Sequence, residues 1–248
     1  MAKERLDVLV VTRGLAESRE QAQRLVLSGD VFVNGHPHCK AGMKLDVDSE
    51  VTVRQRSRYV SRGGEKLEGA FRAFPGWTVD GLCGVDIGAS TGGFTDCLLA
   101  HGATHVVAVD VGRGQLHARL RADSRVTVME RFNVRHLKPD DLPYAPAFAV
   151  FDVSFISLEL VMPPVVASLL PGAQLITLIK PQFEAGRSEV GKGGVVRDQE
   201  VRDRVVEKIR LFGENKLSLQ CLGCVESPLT GPAGNVEYLA WWRRAETR

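Results

Sequence analysis

The sequence has 248 residues, enough for one domain of ordinary size and a smaller one beside it. Apolar residues make up 44% and charged residues 25%, with 25 glycines and 11 prolines, which excludes collagen-like, low-complexity and wholly disordered chains. The net charge of +2 is carried by the first 60 residues while the remainder balances, so a polyanion is expected to dock on the amino-terminal part.

In chain order, Leu6, Leu9 and Val10 mark a short amphipathic helix. Ser18 and Gln21 form a capping-box pattern that opens a second helix, with Ala22, Leu25 and Val26 as its buried face and Gly29 as its end. Val31 to Val33, the turn pair Asn34-Gly35, and Val51 to Val53 read as strands of a small sheet. After Arg54 the composition becomes basic with one aromatic, Tyr59. The expected division is a small α+β domain over 1–55, a linker over 56–60 and a second domain over 61–248.

The second part alternates β-like runs with helical stretches: Val85 to Ile87, Val106 to Val109, Val126 to Met129, Phe148 to Val153 and Leu175 to Ile179. Strands spaced by helices predict an α/β fold, a mostly parallel sheet covered on both faces. Leu217 to Cys221 and Val236 to Trp241 lie too close together for a helical crossover and predict an antiparallel hairpin at the sheet edge.

The first of these strands runs into Asp86-Ile87-Gly88-Ala89-Ser90-Thr91-Gly92-Gly93-Phe94, a glycine-rich turn that lets a ligand approach backbone at a helix N-terminus. Asp110 ends the next strand 24 positions later, where a carboxylate can take two ribose hydroxyls. The dinucleotide pattern Gly-x-Gly-x-x-Gly fails at Ser90. S-adenosylmethionine, which has no pyrophosphate, fits better: Asp86 and Asp152 are expected near its charged end, and Asn133 at the adenine edge. Gly186 to Lys192 spells Gly-x-x-x-x-Gly-Lys, but Gly193 follows where Ser or Thr would hold magnesium, so a glycine-rich loop over the substrate is the better reading. Lys66, Asp152, Lys180 and Glu237 interrupt apolar patterns, and because ligands of open α/β sheets bind outside the carboxyl ends of strands, Asp152 and Lys180 should face the same crevice as the glycine turn.

Two resemblances sharpen this. Ser18-Arg19, Ala22, Gly29-Asp30-Val31 and Val33-Asn34-Gly35 resemble the S-four RNA-binding domain, which implies RNA contacts from Arg5, Arg19, Lys40 and Lys44, with Arg56, Arg58 and Arg62 extending the basic strip. Ser61 to Leu67, Asp86 to Phe94, Asp152 to Phe155, Lys180 to Phe183, and Ser227-Pro228 with Gly234 to Tyr238 resemble the FtsJ-type ribose 2′-O-methyltransferases. With the first module, the whole chain resembles the TlyA family of ribosomal RNA cytidine 2′-O-methyltransferases, often labelled haemolysin A. The resemblance implies a catalytic tetrad of Lys66, Asp152, Lys180 and Glu237. It also implies S-adenosylmethionine contacts from Asp86, Gly88, Ala89, Ser90, Gly92, Gly93, Phe94, Asp110, Val111, Asn133 and Asp152.

In this reading Lys180 activates a ribose hydroxyl, Lys66 supplies a second positive charge, Asp152 positions Lys180 and Glu237 orients Lys66. Adenine amino-methylation, which usually shows Pro-Pro after the fourth-strand acid, fits worse because Val153-Ser154 stands there. Cytosine C5 methylation needs a nucleophilic cysteine, and Gln182 follows Pro181. The expected partner is ribosomal RNA of the 30S or 50S subunit, or both, with neither an obligatory protein partner nor a membrane.

No run approaches the roughly 18 apolar residues of a membrane span, so a cytoplasmic enzyme is expected. Cys39, Cys83, Cys97, Cys221 and Cys224 are read as thiols, and Cys221 and Cys224, three apart on a strand, should face opposite sides. Two rival readings remain distinguishable: a noncatalytic RNA-binding assembly factor would bind no cofactor, and a membrane-active protein would leak liposomes.

Overall fold

The computed structural model describes residues 3–38, 40–53 and 58–246, so Cys39 and Arg56 lie outside the described residues. The chain divides into two compact units, Met1–Arg56 and Ser57–Arg248.

In the smaller unit β1 (Lys3–Arg5) runs directly into α1 (Leu6–Thr12), and α2 (Arg19–Leu27) follows. Ser18 Oγ accepts from the Gln21 amide at 3.2 Å, as the capping pattern requires, while the Gln21 side chain accepts from the Glu17 amide at 2.8 Å, one residue earlier than an ideal box. β2 (Val31–Val33) and β3 (His36–Pro37) form a hairpin across Asn34-Gly35, both at positive φ. β4 (Lys44–Asp46) pairs with β1, and β5 (Val51–Val53) pairs with the other side of β2. Leu6, Val10, Ala22, Val26, Val31 and Val51 form the core on which the two helices and the sheet meet.

The larger unit opens with α3 (Arg62–Ala73), then β6 (Cys83–Ile87), α4 (Gly93–Ala100), β7 (His105–Val109), α5 (Ala118–Arg121) and β8 (Val126–Met129). It continues through β9 (Phe148–Phe151), α6 (Leu158–Ser168), β10 (Gln174–Ile179), α7 (Pro181–Glu184), α8 (Gln199–Leu217), β11 (Leu219–Glu226) and β12 (Tyr238–Arg244). The seven strands are ordered β11-β12-β10-β9-β6-β7-β8, the first two antiparallel and the other five mutually parallel. The expected parallel sheet with an antiparallel edge hairpin is what forms.

Successive residues of β9 feed opposite layers: Ala149 and Phe151 pack with α6 and α8, Phe148 and Val150 with α3 and α4. Burial on both faces explains why the central strands read as continuous apolar runs. Each fully enclosed Phe148, Phe151 or Ile176 contributes roughly 1.5–3 kcal/mol by leaving water.

Three expectations need correcting. The strand expected from Leu217 starts at Leu219, because α8 continues through Leu217 and Ser218, at φ +52°, breaks it. A bulge between Cys221 and Gly223 sets Cys221 opposite Trp242 and Cys224 opposite Ala240, so the two thiols share a face instead of opposing. Tyr59, read as part of a linker, is buried in the larger unit, its hydroxyl donating to Glu68 Oε2 at 2.5 Å. Its ring lies where any Cβ on Gly64 would approach to 2.3 Å, so the first turn of α3 is moulded to it.

Candidate active site

Strand register decides which residues can meet. Ile87 pairs with Val109 and with Phe151, and Thr177 pairs with Phe151, so Gly88, Asp110, Asp152 and Lys180 all leave the sheet at one edge. Because β12 runs opposite to β10, with Tyr238 beside Ile179, Glu237 enters the sheet at that same edge. Lys66 arrives from α3, whose N-cap Ser61 accepts from the Gly63 amide at 3.3 Å.

The four expected chemical groups are brought together as two ion pairs. Lys66 Nζ lies 2.5 Å from Glu237 Oε2, with Lys66 8% and Glu237 1% exposed. Lys180 Nζ lies 2.6 Å from Asp152 Oδ1 and donates to Ser154 Oγ at 3.0 Å. Gln182 Nε2 donates to the second Glu237 oxygen at 3.3 Å, linking the segment after β10 to the Lys66 pair. Buried ions of one sign would be prohibitively costly, whereas alternating signs make the crevice close to neutral.

Two adjoining clefts open beside these pairs. One, of about 360 Å³, is lined by Arg62, Lys66, Ala89, Gly93, Phe94 and Asp152. The other, of about 550 Å³, is lined by Asp110, Val111, Asn133, Arg135, Asp152 and Phe155. They share Gly88, Ser90 and Asp152. Gly88, at φ +82°, must lack a side chain because a Cβ would come within 2.8 Å of the Asp152 carbonyl oxygen. Asp110 accepts from the Ser90 amide at 2.8 Å and from the Gly112 amide at 2.6 Å, which fixes its carboxylate at the cleft. Asn133 Oδ1 is turned to the Arg135 amide at 3.2 Å, leaving its Nδ2 without a partner among the described residues.

Two residues assigned to cofactor contact line neither cleft. Gly92, at φ +96°, faces the core, where a Cβ would lie 2.3 Å from Leu120 Cδ1. Asp86 is fully enclosed beneath the turn, with Thr95 Oγ1 donating to it at 2.7 Å and its other oxygen without a hydrogen-bond partner among the described residues. Burial pushes its carboxyl up to about 7, and Thr95 opposes that shift.

In the smaller unit Arg5 and Arg19 converge on one acid. Asp7, wholly buried, accepts from Arg5 Nε at 2.9 Å and Nη2 at 3.0 Å, from Arg19 Nη2 at 3.0 Å and from Gln23 at 2.9 Å. The Arg5 bonds above all hold its carboxyl well below the usual range. Both guanidiniums stay half exposed, and Lys44 stands opposite Arg5 across the β1–β4 pair, with Lys40 exposed nearby in sequence. In the larger unit Arg58 lies over the Tyr59 ring at 5.5 Å and Arg62 reaches the Thr230 carbonyl at 3.4 Å.

Asp7 was missed by sequence reasoning because an acid in a first helical turn looks like an ordinary dipole contact. Phe155 was quoted in a motif but given no role. It is 90% exposed at φ +63°, lines the larger cleft and stands 5.0 Å from the Phe183 ring. An aromatic directly after a strand-end acid was the available signal.

A parallel sheet of this order, a glycine turn at its carboxyl edge and acids on successive strand ends define a Rossmann-type methyltransferase domain, preceded here by a small α+β module. Residues 59–244 match the FtsJ-like methyltransferase family and residues 4–51 match the S4 domain. The chain therefore belongs to the FtsJ-like methyltransferases, within the TlyA and hemolysin A group that carries an S4 domain in front. It is 50% identical to "Putative rRNA methyltransferase YqxC" of Bacillus subtilis, over 96% of this chain and 84% of that one. It is 44% identical to "16S/23S rRNA (cytidine-2'-O)-methyltransferase TlyA" of Mycobacterium tuberculosis, over 98% of this chain and 91% of that one. The solved "Putative hemolysin from Streptococcus thermophilus" superposes with a TM-score of 0.76 at 44% identity, covering 100% of this chain and 90% of that one. Among the described residues no helix is long and apolar enough to cross a membrane.

Proposed function

We propose that this chain is an S-adenosylmethionine-dependent methyltransferase that methylates the ribose 2′-oxygen of a cytidine in ribosomal RNA, in the cytoplasm and without an obligatory protein partner. The observation that carries the reading is the pair of ion pairs, Lys66 with Glu237 and Lys180 with Asp152, beside the glycine turn. The nature of the relatives supports the substrate: one at 44% identity is named for cytidine-2′-O methylation of ribosomal RNA.

S-adenosylmethionine supplies a methyl group already activated on a sulfonium sulfur. The donor set suits it: a backbone cradle at Gly88, Ala89, Ser90 and Gly93, the Asp110 carboxylate for ribose hydroxyls, Asn133 Nδ2 for the adenine edge, and Val111 and Phe94 as apolar walls. Gly92 and Asp86 act from beneath the turn, Gly92 by permitting its path and Asp86 as a buried negative charge.

A ribose hydroxyl is a weak nucleophile, so the protein's task is to align it for in-line displacement and to take up its proton. Lys180, held between Asp152 and Ser154, is the group that meets the hydroxyl: its ammonium first gives a proton to solvent, and the amine so formed takes the hydroxyl's proton as the oxygen attacks the methyl. Lys66, held by Glu237, binds the substrate's oxygen or phosphate. Phe155 and Phe183 offer an aromatic platform for the cytosine ring once the nucleotide leaves its stack. Residues 1–55 hold the RNA through Arg5, Arg19, Lys40 and Lys44, the basic strip of residues 56–60 with Arg56 and Arg58 continues it, Arg62 meets the RNA at the cleft, and residues 61–248 carry the chemistry.

The test is methyl transfer from labelled S-adenosylmethionine to purified 30S and 50S subunits, followed by nucleoside mass spectrometry, with Lys180→Ala in parallel. The expected product is 2′-O-methylcytidine, and the variant is expected to lose turnover by about 10²–10⁴-fold while cofactor affinity stays within a few fold. Methyl transfer to a base, or undiminished turnover in the variant, would reject the assignment.

A further inference from the structure

The segment after β10 touches the crevice at every second residue. Lys180 meets Asp152 and Ser154, and Gln182 meets Glu237, all within the site already described. Glu184 is different: it lies on α7, is 8% exposed and contacts none of those groups. Its carboxylate accepts from Ser157 Oγ at 2.6 Å and from the Leu158 amide at 2.7 Å. These partners close the loop that Asp152 opens, so residues 152–158 are fastened at the start by Lys180 and at the end by Glu184.

Between the two fastenings stands Phe155 in the left-handed region, a conformation strained for a bulky residue that persists only where the surroundings impose it. Hydrogen bonding of this end is complete: Ser157 Oγ also accepts from the Glu159 amide at 3.1 Å and so caps α6, and Glu159 is paired with Lys208 at 2.6 Å. Desolvation pushes the Glu184 carboxyl up, a cost that an apolar residue packing the same gap would avoid. A carboxylate with two short bonds, rather than a hydrocarbon, serves where the position of the loop has to be fixed.

We propose that Glu184 is a positioning residue, whose bonds to Ser157 and Leu158 set the height of the 152–158 loop and thereby hold Phe155 and the Asp152–Lys180 pair in register with the reacting nucleotide. This rests on the ribose-methylation reading. The wild-type enzyme tests that reading by itself, so a wild type that fails to form 2′-O-methylcytidine sinks the reading, whereas the Glu184 variants are judged only relative to a wild type that does.

The experiment is a double-mutant cycle on the full chain, with single-turnover methyl transfer to the accepted ribosomal subunit as readout. Glu184→Ala is expected to slow transfer about 10- to 100-fold, the scale of an ångström-sized misplacement, with cofactor affinity unchanged. Glu184→Gln, which can still accept from Leu158 and donate to Ser157, is expected to restore most of the rate. Adding Glu184→Ala to Phe155→Ala is expected to cost far less than in the wild-type background, because both act through one loop. If Glu184→Ala does not fold, Ser157→Ala, which loses the 2.6 Å bond and the α6 cap but keeps the bond from the Leu158 amide, takes its place in the cycle. Losses that multiply independently, a glutamine variant as slow as the alanine one, or an undiminished rate would each overturn the proposal.

Discussion

The two units manage charge in opposite ways. In the smaller one, a single buried acid, Asp7, gathers two arginines and leaves both guanidiniums half exposed, so this cluster keeps one positive charge in excess, in a fixed arrangement. In the crevice each lysine has its own carboxylate, and the result is buried and balanced. An excess of ordered cations suits a polyanion met at long range, whereas a neutral, enclosed set suits alignment of one hydroxyl with little general attraction for RNA.

The sharpest way to break this contrast is to separate the units. Residues 57–248 alone are expected to bind S-adenosylmethionine normally while transfer to ribosomal subunits falls by about 10²-fold or more, since tethering supplies effective concentration. Equal transfer by the shortened chain would move RNA capture into the larger unit. Next in size, Phe155→Ala is expected to lower kcat/KM by about 5- to 150-fold, the scale of one lost base stack, with Phe155→Trp largely retaining it and calorimetric cofactor affinity unmoved. A smaller effect, roughly tenfold, is expected on RNA affinity in Asp7→Asn, which loosens both arginines without removing a cation, so the salt dependence should keep its slope.

Asp7 and Asp86 also differ in sign. Asp7 is held below the ordinary range, so its contribution to stability is present above about pH 4 and fades as the pH falls below that. Asp86 is raised to about 7, so its buried charge is a penalty that is absent below its ordinary value of 3.8, grows as pH rises and levels off above about 7. Asp86→Asn is expected to melt higher than wild type by a margin that widens between those limits, a few degrees at its largest, while weakening cofactor binding at pH 8. A margin that shrinks with rising pH would contradict the assignment.

Much of the larger unit was readable because parallel strands covered on both faces must be apolar throughout, and a charged residue ending one, such as Asp152 or Lys180, stands out. What escaped notice lacked such contrast. β1 and β4 are three-residue strands, Lys3–Arg5 and Lys44–Asp46, whose pairing depends on tertiary contact and not on local pattern. The shared face of Cys221 and Cys224 follows from one bulged residue, which no period-two count includes. Asp86 was recognised as an acid at the glycine turn but expected at the ligand surface, since composition alone does not distinguish a side chain above the turn from one beneath it. Of the tetrad, both the residues and their pairing, Asp152 with Lys180 and Glu237 with Lys66, were expected from the family resemblance, whereas no local pattern joins Lys66 to Glu237, 171 residues apart.

That separation bears on synthesis. The sheet of the larger unit can begin to assemble from β6 to β10, but Lys66 has no carboxylate to meet until β11 has turned back and β12 has entered the sheet in reverse. A nascent polypeptide halted anywhere before this hairpin would carry the glycine turn and the Lys180–Asp152 pair but not the Lys66–Glu237 pair. Under the proposed mechanism, competence therefore waits for the antiparallel edge, so that a polypeptide lacking β12 cannot modify a ribosome.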